Sequence, residues 1–454
     1  MKKQLITAVL ALCFSATILV GGQAEVFERP DKSIQDADQR LTLDFNPDPD
    51  LTAIDGLVEL MDEIELDSLE SYVMRLQDFQ SRVTGTDSSR KARDWIATKF
   101  DEFGYDSVVI DTFTGYQLPD SNACESYNVI ACRVGTVFPD QQIIIGGHYD
   151  AFPNSPGADD NGSGTAGLLE IARALAEVET EMTFIFIAFD SRESGMHGSY
   201  HYVDGAVARD DNIILMINMD RIAYLGHGNN AGIFHGEDAA YSDLWIQLAA
   251  DYSAIEGYGG TNSDGDYYPF VEAGYDAIWV REFETSPHIH EPSDSAVYMS
   301  FDYMTAMVKV TLATAYTVDQ IPPRVVTTSL GQVGDGQSMY LAWEPVDLAI
   351  VEYVRISCYP EGAPLDVITA DVPAIETGGA VGELNEGQWY AFYTQAVNFK
   401  GYSSLPCELR FGAPSSIPVS PRNPTALPLI QSIQITWGRD NIELDFDHYE
   451  VIRD

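Results

Sequence analysis

A single stretch, residues 143–164, IIIGGHYDAFPNSPGADDNGSG, restricts the fold more than any other part of the chain. Ile143 to Ile145 form a short β-branched run closed by two glycines, the pattern of a buried parallel strand. His148 and Asp150 then fall just past its carboxyl end, where open α/β sheets bind ligands. After a Pro-bounded loop, Asp159 and Asp160 precede Gly162-Ser163-Gly164 and the helical pattern TAGLLEIARALAEV, so both acids sit at a helix start. Acids and a His at the rim of a sheet are costly to desolvate unless a positive charge joins them. A divalent metal ion meets that requirement.

The same layout recurs downstream. Thr183 to Phe189 is a continuous apolar run with Asp190 to Glu193 at its end, and Asn212 to Met219 is another that delivers Asp220. The segment SDGDYYPFVEAGYDAIWVRE reads as a loop, a short helix and a strand at Ala277 to Val280, and SPHIHEPSDS follows with His288 and His290. Strands and helices alternating through short loops predict an α/β domain with a mixed, largely parallel sheet and helices on both faces. Upstream, LDSLESYVMRLQDFQ and SSRKARDWIATKFDEFG read as helices, the second stopped by Gly104. Short strands are expected at Ser107 to Thr112 and Ser126 to Arg133. His197, His201, His227, His235 and His448 read as surface or loop histidines.

Residues 1–24 carry Lys2 and Lys3, an apolar run from Leu5 to Val20 and a small-residue exit at Ala24, the form of a secretory signal. A secreted or extracellular protein is expected, in the periplasm or at a cell surface if not free, with no stable membrane insertion after cleavage. Residues 25–65 are acidic with weak periodicity, either a pro-segment, a strap or a disordered leader. Cys124, Cys132, Cys358 and Cys407 then stand in an exported chain, so disulfides between sequential pairs are allowed. Asp and Glu number 70 against 25 Lys and Arg, a formal charge of −45. That balance disfavours nucleic acid and anionic membranes as partners and suits a solvated acidic surface.

The set HYD, GADDNGSG, FDSRESGMHGS, NMDRIAY and HIHEPSDS, in that order and spacing, resembles metallopeptidase family 28, secreted aminopeptidases with two co-catalytic zinc ions. The resemblance covers about residues 66–318, a zinc exopeptidase-like domain. It implies His148 and Asp220 as ligands of one zinc, Glu193 and His290 as ligands of the other, Asp160 as the bridge, and Asp150 as the acid that orients His148. Two Zn²⁺ per chain and peptide substrates follow from the resemblance, and imidazole with carboxylate suits zinc. A carboxypeptidase or glutaminyl-cyclising relative shares the fold and part of the ligand set.

One position departs from that family. The residue before the Glu ligand, where the family keeps a Glu as general base, is Arg192, and an Arg stays protonated in proteins. Three readings follow. A nearby acid, Asp190, Asp159 or Glu291, replaces the base; the domain is a catalytically weak metal-binding protein in which Arg192 pairs a carboxylate; or the site runs another metal-dependent reaction.

Beyond Asp319 the pattern changes to alternating strands, with paired prolines first and turns between. Trp343, Tyr353, Leu384, Tyr390 and the run AVNFKGYSS resemble a fibronectin type III sandwich over 321–411, in which these aromatics fill the core. A second, incomplete copy is expected over 412–454, with ITWGRD and FDHYEVIRD repeating LAWEPVD and VEYVRIS. Three strands do not close a sandwich, so the sequence reads as a fragment of a longer protein. Such modules serve as spacers or attach to surfaces and polymers, which makes an adhesion protein the non-enzymatic alternative.

Overall fold

A computed structural model of the protein describes residues 54–226, 228–416, 425–429 and 432–436. Eight helices belong to its α/β part: α1 Leu57–Asp62, α2 Leu66–Asp78, α3 Asp87–Phe103, α4 Gly162–Ala174, α5 His197–Arg209, α6 Ala240–Tyr252, α7 Tyr268–Glu272 and α8 Phe301–Gln320. Local chemistry sets several of their ends. Thr86 caps α3 by accepting from the Ser89 amide, and Gly104, at φ 77°, ends it in the left-handed region that glycine tolerates. Ser300 caps α8 in the same way, accepting from Tyr303 N.

The strands of this part are β1 Ser107–Gln117, β2 Asn122–Arg133, β3 Phe138–His148, β4 Met182–Phe189, β5 Asn212–Met219, β6 Asn230–His235, β7 Glu256–Thr261 and β8 Ala277–Glu282. They form one sheet in the order β1-β2-β4-β3-β5-β8-β6-β7. The four central strands β4, β3, β5 and β8 run parallel. β1, β2 and β6 join by antiparallel pairing. Side chains on successive strand residues leave opposite faces, and here both faces are covered. Ile143, Ile145, Phe184, Phe186, Leu215 and Ile217 enter a core shared with α2, α3, α4, α6 and α8. Ile144, Ile185, Ile187, Phe189 and Met216 enter a second core with α5 and α7. Burial on both sides explains why these strands read as unbroken apolar runs.

Several expectations change. β6, α6 and β7 have no counterpart in the sequence reading, because β7 is GYGG-rich and β6 is short. His235, expected on the surface, ends β6 and is buried, with Nδ1 2.9 Å from Gly236 O. His197 and His201 lie on α5; His201 stacks on Phe113, and the His197 ring meets that of Tyr116 at a tilt. The acidic leader contains a helix after all: Leu57, Leu60 and Met61 of α1 join the main core. The rest of that leader and residues 1–24 lie outside the described residues, as do His227 and His448. All four described cysteines are free. Cys124 and Cys132 sit on one strand eight residues apart, which at about 3.3 Å per residue is far beyond disulfide reach. Among the described residues, no helix is long and apolar enough to cross a membrane.

A β-sandwich follows α8. Its strands are β9 Thr327–Gln332, β10 Met339–Trp343, β11 Val351–Pro360, β12 Ile368–Pro373, β13 Gly378–Val381, β14 Tyr390–Asn398 and β15 Arg410–Gly412. One sheet is β13-β10-β9 and the other β12-β11-β14-β15. Trp343, Leu384 and Tyr390 lie in the core between them. Tyr353 does not; it is half-buried, with the Arg355 guanidinium 5.5 Å from its ring centre. The sandwich packs at the amino ends of the central strands. Phe138, which opens β3, packs against both cores, Lys400 pairs with Glu181 just before β4, and Asn398 Nδ2 donates to Gln320 O at 3.0 Å. The carboxyl ends of the strands are thus left to the site. Of the expected second module, only a hairpin of β16 Thr425–Leu429 and β17 Ser432–Thr436 is described.

Candidate metal centre

Adjacent strands β4, β3, β5 and β8 end at the same edge, so the residues that follow them converge. His148 closes β3, and its carbonyl accepts from Thr165 Oγ1 of α4 at 2.7 Å. Asn161 caps α4 by accepting from Gly164 N at 2.9 Å, while its Nδ2 donates to Met219 O at the end of β5. Gly164 is required there: a Cβ would lie 2.2 Å from Met219 O. The glycine and serine run after the paired acids therefore lets the helix start press against β5.

Two groups of side chains meet around Asp160. His148 Nε2 lies 3.3 Å from Asp160 Oδ1 and 3.5 Å from Asp220 Oδ1. His290 Nε2 lies 3.1 Å from both Asp160 Oδ2 and Glu193 Oε2. The two oxygens of Asp160 thus face different partners, and each trio offers ligand atoms within 4.8 Å of one another. Ligands held about 2.0–2.1 Å from a tetrahedral ion sit roughly 3.3 Å apart, which these spacings match. Glu193 Oε1 is buried with no hydrogen-bond partner, and Asp220 Oδ1, also buried, has Arg221 Nε and His148 Nε2 beside it at 3.4 and 3.5 Å without a hydrogen bond. Buried carboxylate oxygens are rarely left so unless a cation meets them. The residues present fit a metal ion at each trio.

The electrostatics agree. Burial disfavours charge on His148, yet Asp150, Asp160 and Asp220 push its pKa well up. Asp160 and Glu193 push His290 up to about 10. Burial raises Asp160, but His148 and His290 overcome it and hold that carboxyl well below the usual range. Burial, then Asp160, pushes Glu193 up to about 7. Such a mass of acids recruits positive charge wherever it can.

Asp150 lies behind His148, its Oδ1 3.3 Å from Nδ1. Its two oxygens also accept from the amides of Arg192 and Glu193, each at 3.1 Å. One carboxylate thus orients the imidazole of β3 and the loop after β4 together. Phe152 stacks on His290 with ring centres 4.2 Å apart. His288 turns elsewhere, against Ser293 and Tyr298.

The acids named as substitute bases fare differently. Asp190 is buried, accepting from Thr84 Oγ1, Ser191 N and Tyr127 N, so it cannot meet a substrate. Asp159 is buried too, close to the Glu282 carboxyl and accepting from Ala223 N at 3.2 Å. Glu291 is exposed and follows His290 directly. Arg192 Nη2 pairs with Asp264 Oδ1 at 2.8 Å.

Two supporting residues escaped the sequence reading. Arg82 is fully buried and donates to the carbonyls of Tyr149, Leu76, Pro156 and Gly157 at 2.7–3.0 Å, which staples the loop between His148 and Asp160. Asp294 accepts from Asp159 N and Asp160 N at 2.9 and 3.1 Å. Burial, then the charge of Asp159, pushes Asp294 up to about 7. A lone Arg and an acid in a Ser-rich loop carry no local signal of such roles; only the acidic surroundings hinted that a buried cation would find partners.

Strands delivering His, Asp and Glu to one sheet edge, with two trios sharing an acid, define a metallopeptidase-type hydrolase. Residues 128–315 match the family model of Peptidase family M28. Aminopeptidase YwaD of Bacillus subtilis (strain 168) is 33% identical over 167 residues, which are 35% of this chain and 37% of that protein. A probable zinc metalloprotease of Pyrenophora tritici-repentis (strain Pt-1C-BFP) is 24% identical over 371 residues, 66% of this chain and 85% of that one. The crystal structure of BSAP, a zinc aminopeptidase from Bacillus subtilis, shares the fold, with a TM-score of 0.51 at 18% identity over 56% of this chain and 95% of that one.

Proposed function

We propose that this chain is a secreted zinc-dependent exopeptidase, of aminopeptidase type, that hydrolyses peptides at a two-metal site. The observation that carries the reading is Asp160, whose two oxygens face His148 with Asp220 on one side and His290 with Glu193 on the other. His148, Asp160 and Asp220 would hold one zinc ion, and Asp160, Glu193 and His290 the second. Zinc there supplies a Lewis acid for the scissile carbonyl and lowers the pKa of a water. The chain does the rest by placement. Asp150 fixes the His148 ring and the Glu193 amide, Phe152 fixes His290, and Arg82 and Asp294 hold the loop that carries Asp160. The names of the relatives, a zinc metalloprotease and an aminopeptidase, support the metal and the substrate class.

Arg192 cannot accept a proton, since the acids around it outweigh burial and raise its pKa further. We assign the base role to Glu291, the one candidate acid of the three that is exposed beside a ligand. A second reading, a metal-binding protein of weak activity, is favoured by Arg192 alone, because loss of a general base costs about 10²–10⁴ in rate. We propose further that the sandwich is a fibronectin type III module, which its three-plus-four division of strands supports, and that it serves to attach the enzyme to a surface or polymer.

The test is metal analysis of the purified protein with hydrolysis of aminoacyl nitroanilides before and after chelation. Two zinc ions and chelator-sensitive turnover are expected. Zinc absent, with no change in stability on chelation, refutes the reading. A large gain in rate for Arg192→Glu would show that no other acid serves as base and select the second reading.

A further inference from the structure

Two aromatic rings that neither core of the α/β domain absorbs meet at one corner of the sheet. Phe283, the residue after β8, is 50% exposed, and Tyr258 of β7 is 40% exposed. Their ring centres lie 4.7 Å apart, so they form one patch rather than two scattered side chains. The patch lies on a defined face. A Cβ at Gly257 would come within 2.7 Å of Ile246 on α6, so Tyr258, the next residue, leaves the face away from α6. Gly232 of β6, in register with both Tyr258 and Arg281, puts no side chain between β7 and β8 there.

The loop that leaves Asp220 is laced to this corner. Arg221 O accepts from Glu282 N at 2.7 Å, Glu282 Oε2 accepts from Tyr224 N at 3.0 Å, and Asn230 O accepts from Phe283 N at 3.3 Å. Side chains make the same connection. Arg221 Nε lies 3.4 Å from Asp220 Oδ1, and its guanidinium carbon is 5.7 Å from the ring centre of Trp279. Arg281, two residues before Phe283, stands 5.2 Å from that same ring. Leu225, within the loop, is a third exposed apolar side chain.

The register sets the span. β5 and β8 run parallel with Met219 opposite Val280, and Asp220 N donates to Val280 O at 3.2 Å. Phe283 is thus two residues beyond the position opposite Asp220. Neighbouring strands lie about 4.8 Å apart and rise about 3.4 Å per residue, which puts the two Cα atoms about 8 Å apart. The Phe283 ring reaches further out, and an extended peptide covers about 3.3–3.6 Å per residue. Two or three residues of substrate therefore bridge from Asp220 to the patch.

A pair that only covers Gly232 and the β7 edge would explain the ring contact, but one ring would suffice for that and neither would need to stay half-exposed. Continuity with the loop from Asp220 points to the substrate as the occupant. Aromatic faces take up aromatic and aliphatic side chains by stacking and burial. We propose that Phe283 and Tyr258 form a subsite for the downstream part of the substrate, so that the enzyme selects extended peptides with an aromatic or large aliphatic side chain two or three residues beyond the scissile amide. This inference rests on the peptidase reading of the metal trios.

The experiment measures kcat/KM of zinc-supplemented full-length protein for an alanine pentapeptide amide and for the peptides in which its second, third, fourth or fifth residue is phenylalanine. Seating a phenyl ring on the pair removes on the order of 50–100 Å² of apolar surface from water, so phenylalanine as the third or fourth residue should raise kcat/KM about 5- to 50-fold, mostly through KM. In Phe283→Ser and Tyr258→Ser that ratio should fall towards one, while Phe283→Leu keeps part of it. A flat series, or a gain that survives Phe283→Ser, overturns the subsite and leaves the peptidase reading standing. If no peptide is cleaved, the peptidase reading fails, and fluorescence polarisation with the same peptides, labelled at an added C-terminal lysine, still decides. Tighter binding with phenylalanine third or fourth, lost in Phe283→Ser, supports the subsite, and equal binding overturns it.

Discussion

Replacing Arg82 by Met tests how the loop between the first His and the shared acid is held. The substitution keeps an unbranched stem of similar length and removes every donor. Of the four carbonyls that Arg82 serves, Leu76 O still accepts from Phe79 N at 3.2 Å and Gly157 O from Gly162 N at 3.0 Å. Tyr149 O is left buried, and Pro156 O half-buried, with no other described partner. Each orphaned carbonyl costs about 1–3 kcal/mol, so the pair costs about 2–6 kcal/mol. Removing a buried guanidinium that has no carboxylate partner within ion-pair distance offsets part of this, leaving about 2–4 kcal/mol. Urea unfolding followed by tryptophan fluorescence should show that loss as a lower midpoint at constant slope. Because the stapled loop leads into Asp160, zinc affinity should fall at least about 10-fold, read by competition with a fluorescent chelator. Arg82→Lys, with three donors, should recover roughly half of the stability. A loss under about 1 kcal/mol with unchanged zinc affinity would refute the staple.

Asp294→Ala removes the acceptor of the Asp159 and Asp160 amides and should weaken zinc binding about 10- to 100-fold in the same competition assay, with unchanged affinity as the contrary result. Gly164→Ala places a methyl 2.2 Å from Met219 O and should destabilise by about 1–3 kcal/mol, although alanine favours helices; a more stable variant would deny the close approach of α4 to β5. The pH dependence of chelated protein follows from His290, which Asp160 and Glu193 raise to about 10. Its pairing is fully present below the unfolded value of about 6.5 and is lost as pH rises towards 10. The melting temperature should therefore decline across that window, and His290→Ala should flatten the decline; an identical slope in the variant would remove His290 as its source.

Much of the α/β domain was readable from the chain because its signals are local. A strand buried on both faces must be apolar throughout, so Ile143 to Ile145, Thr183 to Phe189 and Asn212 to Met219 announce themselves, and the acids placed after them mark one sheet edge. Gly104 likewise declares the end of α3. What the chain could not declare was partnership across distance. Asp190 and Asp159 looked as available as Glu291 until packing placed Thr84 and Glu282 against them. His235 resembled a loop residue until β6 paired with β7 and β8. Arg82 and Asp294 hold the loop before Asp160 through contacts between residues 67 to 135 positions apart, which no periodicity encodes. By itself the sequence determined the central strands, several helix ends and the residue types that follow those strands, because these follow from backbone and side-chain chemistry over a few residues. Only the tertiary structure decided which acids are spent and which stay open, because burial and hydrogen-bond partners are properties of the packed sheet edge.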